Sequence, residues 1–106
     1  MEREISCEYI EANLDNASLG LQSVCGQVGL SAPYFSHLFK EEMEIGLNSY
    51  IRQRRIGRAC ELLTTTDLKN ELIAQQLGFS SENYFHSVFK KETGLTPGEY
   101  RKKHRQ

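Results

Sequence analysis

Val28-Gly29-Leu30-Ser31, followed by Tyr34-Phe35 and Phe39-Lys40, recurs as Leu77-Gly78-Phe79-Ser80, followed by Tyr84-Phe85 and Phe89-Lys90. A self-similarity of this kind, with a period of about 50 residues, means that the chain contains one structural unit twice. Upstream of each glycine, apolar residues recur at helical spacing, as Leu21, Val24, Cys25 and Val28 in the first copy and as Ile73, Ala74 and Leu77 in the second. Each unit therefore reads as a short helix, a turn and a second helix. Gly29 and Gly78 stand where a helix stops and the chain turns sharply, a place that favours a residue free to adopt positive φ. Ser31, and Ser80 or Ser81, supply hydroxyls to cap the following helix, and Pro33 is tolerated in its first turn because the amides there lack intrahelical partners. The turn is about three to four residues long, which is helix-turn-helix geometry, and the small Cys25 and Ala74 let the two helices approach closely.

The segments outside the repeats are helical as well. Ile5, Tyr9, Ile10 and Leu14 face one way on an opening helix that precedes the loop Asp15-Asn16-Ala17-Ser18. Ser49 to Leu63 reads as an amphipathic linking helix, with Tyr50, Ile51, Ile56, Ala59, Leu62 and Leu63 interleaved by Arg52, Arg54, Arg55 and Arg58. Fifteen or so helical residues span about 22 Å, so this helix is expected to hold the two units at a fixed spacing. After Phe89 the helix should end near Gly94, and Thr96 should cap a terminal helix with Pro97 at its first position. The expected fold is all-α, with about seven helices in one domain over 1–106: a first helix-turn-helix unit with its lead-in at 5–47, the linking helix at 48–64, and a second unit at 65–106.

Composition narrows the function. The chain has 106 residues, the size of one ordinary domain, so a single core is expected; 39% are hydrophobic and 25% charged, which excludes a disordered tail. No apolar run approaches the roughly 18 residues that a membrane helix needs, and Met1-Glu2-Arg3-Glu4 lacks the plan of a secretory signal, so a cytoplasmic protein without membrane association is expected. Cys7, Cys25 and Cys60 are widely spaced and read as buried small residues; His37, His86 and His104 form no i, i+4 pair. No metal site, cofactor or catalytic set is expected from these residues. The net charge of −1 hides an asymmetry: residues 1–50 hold eight acidic and two basic residues, whereas residues 51–106 hold six acidic and eleven basic, so the second half suits a polyanion.

Ile73-Ala74-Gln75-Gln76-Leu77-Gly78-Phe79-Ser80, Asn83-Tyr84-Phe85, Phe89-Lys90-Lys91, Gly94-Leu95-Thr96-Pro97 and Tyr100-Arg101 resemble the signature of the AraC/XylS family of bacterial transcription regulators. The resemblance covers nearly the whole chain. It implies a DNA-binding domain whose two recognition helices enter successive major-groove segments on one face of bent DNA. Three positions depart from the family pattern: Cys25 replaces a usual alanine, Asn70 a usual apolar residue, and Glu44 the glycine that ends the first recognition helix. A non-glycine residue at positive φ costs about 1 kcal/mol, so either the helix end is rebuilt around Gly46 or the strain is borne.

A recognition helix buries one face and offers the other. Setting aside Phe35, Leu38 and Phe39 leaves Ala32, Pro33, Ser36, His37 and Lys40 as one stripe; setting aside Phe85, Val88 and Phe89 leaves Glu82, Asn83, His86, Ser87 and Lys90 as the other. Asn83 suits adenine N6 and N7, Glu82 suits cytosine N4, and the histidines and serines can donate to guanine N7, while Ala32 and Pro33 offer contact to a thymine methyl. Neither stripe contains arginine, the commonest guanine contact, so modest discrimination aided by DNA shape or dimerisation is expected. Phosphate contacts are expected from Lys40, Arg52, Arg55, Lys90, Lys91, Arg101 and Lys102. Tyr34 and Tyr84 are expected to pack. Because Glu41, Glu42 and Glu44 surround the first unit, the second should supply more of the salt-dependent affinity.

The expected partners are double-stranded DNA and RNA polymerase, with any dimerisation through a domain absent from this chain. The chain reads as the end piece of a longer regulator, its opening helix resembling the lead-in that follows a linker in response regulators. A helical protein-interaction module that has lost DNA binding is the rival reading, separated by DNA affinity and its salt slope. A thiol sensor or enzyme built on Cys7, Cys25 or Cys60 lacks the pairing that would activate a thiol.

Overall fold

The computed structural model describes residues 2–105, with side chains from residue 6 onward. Among them are seven helices and no strand: α1 (Glu2–Ala12), α2 (Leu21–Val28), α3 (Ala32–Met43), α4 (Leu47–Thr65), α5 (Asn70–Gln76), α6 (Glu82–Thr93) and α7 (Pro97–His104). The side chain of Ile5, expected on the core face of α1, lies outside those described.

The helices form two compact units, Met1–Arg54 and Arg55–Gln106, each with its own core rather than the single core that length suggested. In the first, Ile10, Leu14, Leu19, Val24, Cys25, Phe35, Phe39, Leu47 and Ile51 are buried together. Phe35 and Phe39, one helical turn apart, stack at 5.7 Å, and Phe39 meets the edge of Tyr50 at 5.4 Å. In the second, Ile56, Ala59, Leu63, Ile73, Ala74, Leu77, Phe79, Phe85, Val88 and Phe89 are buried. Phe79, Phe85, Phe89 and Tyr100 make a chain of aromatic contacts at 5.1–5.7 Å.

The helix over Ser49–Leu63 is longer than expected at both ends, and its apolar residues belong to the cores: Leu47 and Ile51 to the first, Ile56, Ala59 and Leu63 to the second. The repeat is thus wider than the turn motifs that betray it. In the second unit, Ala59 and Leu63 of α4 are buried in the core as Ile10 and Leu14 of α1 are in the first, and all four are at most 2% exposed.

Both turns follow the glycine logic. Gly29 and Gly78 each have φ of 77°. The amides of Gly29 and Leu30 both reach the carbonyl of Cys25, at 2.9 and 3.1 Å, and the amide of Phe79 reaches that of Ala74 at 3.0 Å, so a carbonyl in the last turn of each of α2 and α5 is satisfied as the chain turns. Cys25 and Ala74 are both buried, as close packing requires.

The caps differ. Ser81, rather than Ser80, caps α6 by accepting from the Tyr84 amide at 3.0 Å. Ser31 occupies the cap position of α3 but its hydroxyl makes no capping bond; Pro33, second in the helix, has removed one of the two amides such a hydroxyl can serve. Thr96 and Glu99 close a reciprocal box at the start of α7, the Glu99 amide donating to Thr96 Oγ1 at 3.1 Å and the Thr96 amide to Glu99 Oε1 at 2.8 Å. Glu44 bears the strain: α3 ends on it at φ 61° instead of being rebuilt around Gly46.

Of the three cysteines only Cys25 is buried. Cys7 and Cys60 are half-buried, and Cys7 accepts from the Tyr50 hydroxyl at 3.6 Å. Burial, reinforced by Cys7, pushes the Tyr50 phenol up to about 12. The hydrogen bond with Cys60, with some burial, raises Tyr100 as well. Among the described residues no helix is long and apolar enough to cross a membrane.

Candidate nucleic-acid interface

The second helix of each unit divides sharply along its length. On α6, Phe85, Val88 and Phe89 are buried, while Glu82, Asn83, Ser87 and Lys90 are exposed and His86 is half-exposed. On α3, Phe35 and Phe39 are buried, and Pro33, Ser36, His37 and Lys40 are exposed. Two positions on α3 depart from the sequence expectation. Ala32 is partly buried against the first core, and Leu38, expected inside, is only half-buried. A single methyl at Ala32 has little to extend outward, so the exposed stripe of α3 consists mainly of Pro33, Ser36, His37 and Lys40.

Each stripe carries a histidine beside a glutamate. His37 Nε2 lies 3.3 Å from Glu41 Oε2, with side chains 73% and 60% exposed. His86 Nε2 lies 3.4 Å from Glu82 Oε2, with side chains 38% and 44% exposed. The second contact is close but lacks the alignment of a hydrogen bond: His86 Nε2 is closed off from solvent and has no hydrogen-bond partner. The imidazole stands edge-on to Phe85 at 6.0 Å.

Tyr34 and Tyr84, expected to pack, are 56% and 49% exposed. Tyr84 does rest its ring against Phe79 at 5.9 Å, but much of it faces outward. Sequence reading missed both because a tyrosine next to a core phenylalanine looks apolar; the signal was their place, immediately before Phe35 and Phe85 and so about 100° round the helix from the core direction.

The cations fall into two groups. Lys40, Lys90, Lys91 and Lys102 are exposed. Arg52 donates to Ser49 Oγ at 3.2 Å, and partial burial lowers the pKa of the Arg55 guanidinium, offset in part by Tyr84. Arg101, expected on a phosphate, is used otherwise. Its Nε donates to the Leu63 carbonyl at 3.0 Å, and its Nη2 to those of Thr66 and Leu68 at 3.2 and 2.6 Å, closing the open end of α4 and the chain that follows. Arg105 adds a bond to the Thr66 carbonyl at 2.9 Å and pairs with Asp67. In the first unit Arg54 makes a two-pronged pair with Glu11, both bonds 2.9 Å.

Fold and site together define a domain of two helix-turn-helix units, each presenting the exposed face of its second helix. A helix-turn-helix domain model matches residues 24–103. The arabinose operon regulatory protein of Escherichia coli (strain K12) is 36% identical over 96 residues, covering 91% of this chain and 33% of that protein. The C-terminal domain of the two-component response regulator yesN from Fusobacterium nucleatum superposes with a TM-score of 0.89 at 38% identity, covering 92% of this chain and 95% of that one. A transcriptional regulator from Chromobacterium violaceum, described as AraC-type DNA-binding domain-containing, gives 0.90 at 28% identity, covering 99% and 93%. The chain belongs to the AraC/XylS family of helix-turn-helix domains, as its sequence motifs suggested. It spans about a third of the length of the curated relatives it matches.

Proposed function

We propose that the chain is the sequence-specific double-stranded DNA-binding domain of a bacterial transcription regulator, and that it lays α3 and α6 into major-groove segments of its target. The observation that carries this reading is the division of α6, whose buried Phe85, Val88 and Phe89 leave Glu82, Asn83, Ser87 and Lys90 as an exposed stripe of hydrogen-bonding groups on one helix face. Such a stripe fits the donor and acceptor pattern of base edges. On α3 the corresponding readers are Pro33, Ser36 and His37, with Ala32 at the margin. Lys40, Lys90, Lys91 and Lys102, joined by Arg52 and Arg55, neutralise phosphates. The descriptions of the relatives, a regulatory protein of an operon and an AraC-type DNA-binding domain, support the same reading. The protein acts in the cytoplasm with RNA polymerase as its partner, catalyses no reaction, and dimerises, where it does, through a segment outside this chain.

The test is a fluorescence-anisotropy titration of random and selected duplexes at about 50 and 200 mM salt. Salt-sensitive binding, with a selected sequence preferred at least about tenfold and weakened by Asn83→Ala, is expected. Lys90→Ala should flatten the salt slope by about one unit. A chain that binds no duplex at the lower salt refutes the reading and favours a protein-interaction module, for which the exposed Glu41, Glu42 and Glu44 of the first unit speak.

A further inference from the structure

Tyr34 and Tyr84 stand at the same place in the two units, third in α3 and third in α6, each just before the first core phenylalanine of its helix. All five phenylalanines are buried, whereas these two tyrosines are 56% and 49% exposed. A single exposed aromatic needs no explanation, but the same exposure at both copies of one position calls for a role outside the core.

Helical geometry says where the two rings stand. Successive residues are turned by about 100°, so Tyr34 and Tyr84 lie about 100° to one side of the buried Phe35 and Phe85, and Ser36 and His86 about 100° to the other. The base readers proposed above point away from the core between these two edges. Each tyrosine therefore occupies a flank of its recognition helix. A helix with its side chains is about 10–12 Å across and the major groove about 12 Å wide, so a flank faces a sugar-phosphate strand at close range and not a base edge. What the tyrosine brings there is a phenol hydroxyl, a donor that a phosphate oxygen accepts. In α6 the edge-on contact with Phe79 at 5.9 Å supports the ring while leaving half of it in solvent. Tyr84 also acts electrostatically on the Arg55 guanidinium, so in the second unit a neutral donor and a cation proposed for phosphate stand together.

We infer that Tyr34 and Tyr84 are an equivalent pair of uncharged phosphate anchors, each donating its hydroxyl to a backbone phosphate beside the groove that its recognition helix enters. This rests on the duplex-reading function proposed above. The pair adds a contact that the lysines and arginines cannot supply. A cation on a phosphate releases counterions, and its contribution fades as salt rises; a phenol releases none, and its contribution persists. The difference matters most in the first unit, where the exposed Glu41, Glu42 and Glu44 oppose attraction of DNA by charge but leave a neutral donor its hydrogen bond.

The experiment is a fluorescence-anisotropy titration of a selected and a random duplex between about 50 and 200 mM salt, with the 106-residue chain and its Tyr34→Phe, Tyr84→Phe, doubly substituted and Lys90→Ala variants. Phenylalanine keeps the ring and removes only the hydroxyl, so the urea midpoints should equal that of the wild type. Each single variant should bind about fivefold more weakly at every salt concentration and on both duplexes, and the double variant about 25-fold. The slope of log affinity against log salt should stay at the wild-type value, whereas Lys90→Ala flattens it by about one unit. A phenylalanine variant at either position that binds like the wild type overturns the inference. So does a Tyr84→Phe variant whose slope flattens as that of Lys90→Ala does, since that marks an effect relayed through Arg55, and so does a fall in urea midpoint, which marks a packing role. A wild type that binds no duplex is a different result, because it removes the DNA-reading function itself and this inference with it.

Discussion

Glu44 ends α3 in the same left-handed conformation with which Gly94 ends α6. Their φ angles are 61° and 84°, and each amide donates to the carbonyl of the lysine four residues back, Lys40 at 2.9 Å and Lys90 at 2.8 Å. The geometry of the stop is set by the helix end and not by the residue that occupies it, so the first unit holds a side chain where the second has none. Glu44→Gly should therefore stabilise the chain by about 1 kcal/mol, read as a higher midpoint of urea unfolding. An unchanged or lower midpoint would mean that the exposed glutamate makes up for its own strain.

Gly57 presents the opposite case. It lies inside α4, exposed, at ordinary φ, and a Cβ built on it meets nothing within 4 Å. Nothing about packing calls for glycine there. Replacing it by alanine should add about 0.5–1 kcal/mol through the lower entropy of the unfolded chain and better helix propensity, raising the thermal midpoint without altering DNA affinity.

Arg101 is expected to behave as a residue of the fold. Arg101→Met keeps the apolar stem but strands the carbonyls of Leu63, Thr66 and Leu68. A loss of about 2 kcal/mol in unfolding free energy is expected, while the salt slope of DNA binding measured on the folded variant stays at the wild-type value. A flattened slope with unchanged stability would restore Arg101 to the phosphate-binding set.

The capping box of α7 gives a pH signature. The hydrogen bond from the Thr96 amide is the main cause that holds the Glu99 carboxyl below its ordinary 4.5. A group whose folded value lies below its unfolded one contributes stability above the unfolded value and loses it as pH falls through the folded one. Wild type should therefore be more stable than Glu99→Gln at neutral pH, with the difference closing in acid as pH falls below 4.5 and through the lower folded value. Denaturation curves at both pH values check this, and a gap that persists in acid would point to shape rather than charge.

How far the sequence could be read follows from which interactions are local. Gly29, Gly78, Thr96 and Pro97 were legible because a turn or a cap is decided within a few residues, and the faces of α3 and α6 were legible because helical periodicity alone divides Phe85 and Phe89 from Asn83 and Ser87. The role of Arg101 was not, since its carbonyl partners lie more than thirty residues away in the chain. The pairing of Glu82 with His86 lay within reach, being an i, i+4 relation, but a search for histidine beside histidine passed it over. Two separate cores were hidden for a further reason: α4 shows one continuous helical pattern, and only the three-dimensional contacts reveal that its two halves have different neighbours.

Phe35, Phe39, Phe85 and Phe89 fix the recognition helices from inside, and the residues facing outward between them take almost no part in either core. Surface substitutions of that kind usually change stability by less than about 0.5 kcal/mol. If each unit reads its own DNA segment, as proposed, a lineage carrying this domain could explore new targets by point mutation without risking its fold. The duplicated architecture would then leave one unit holding the complex to its old address while the other drifts toward a new one.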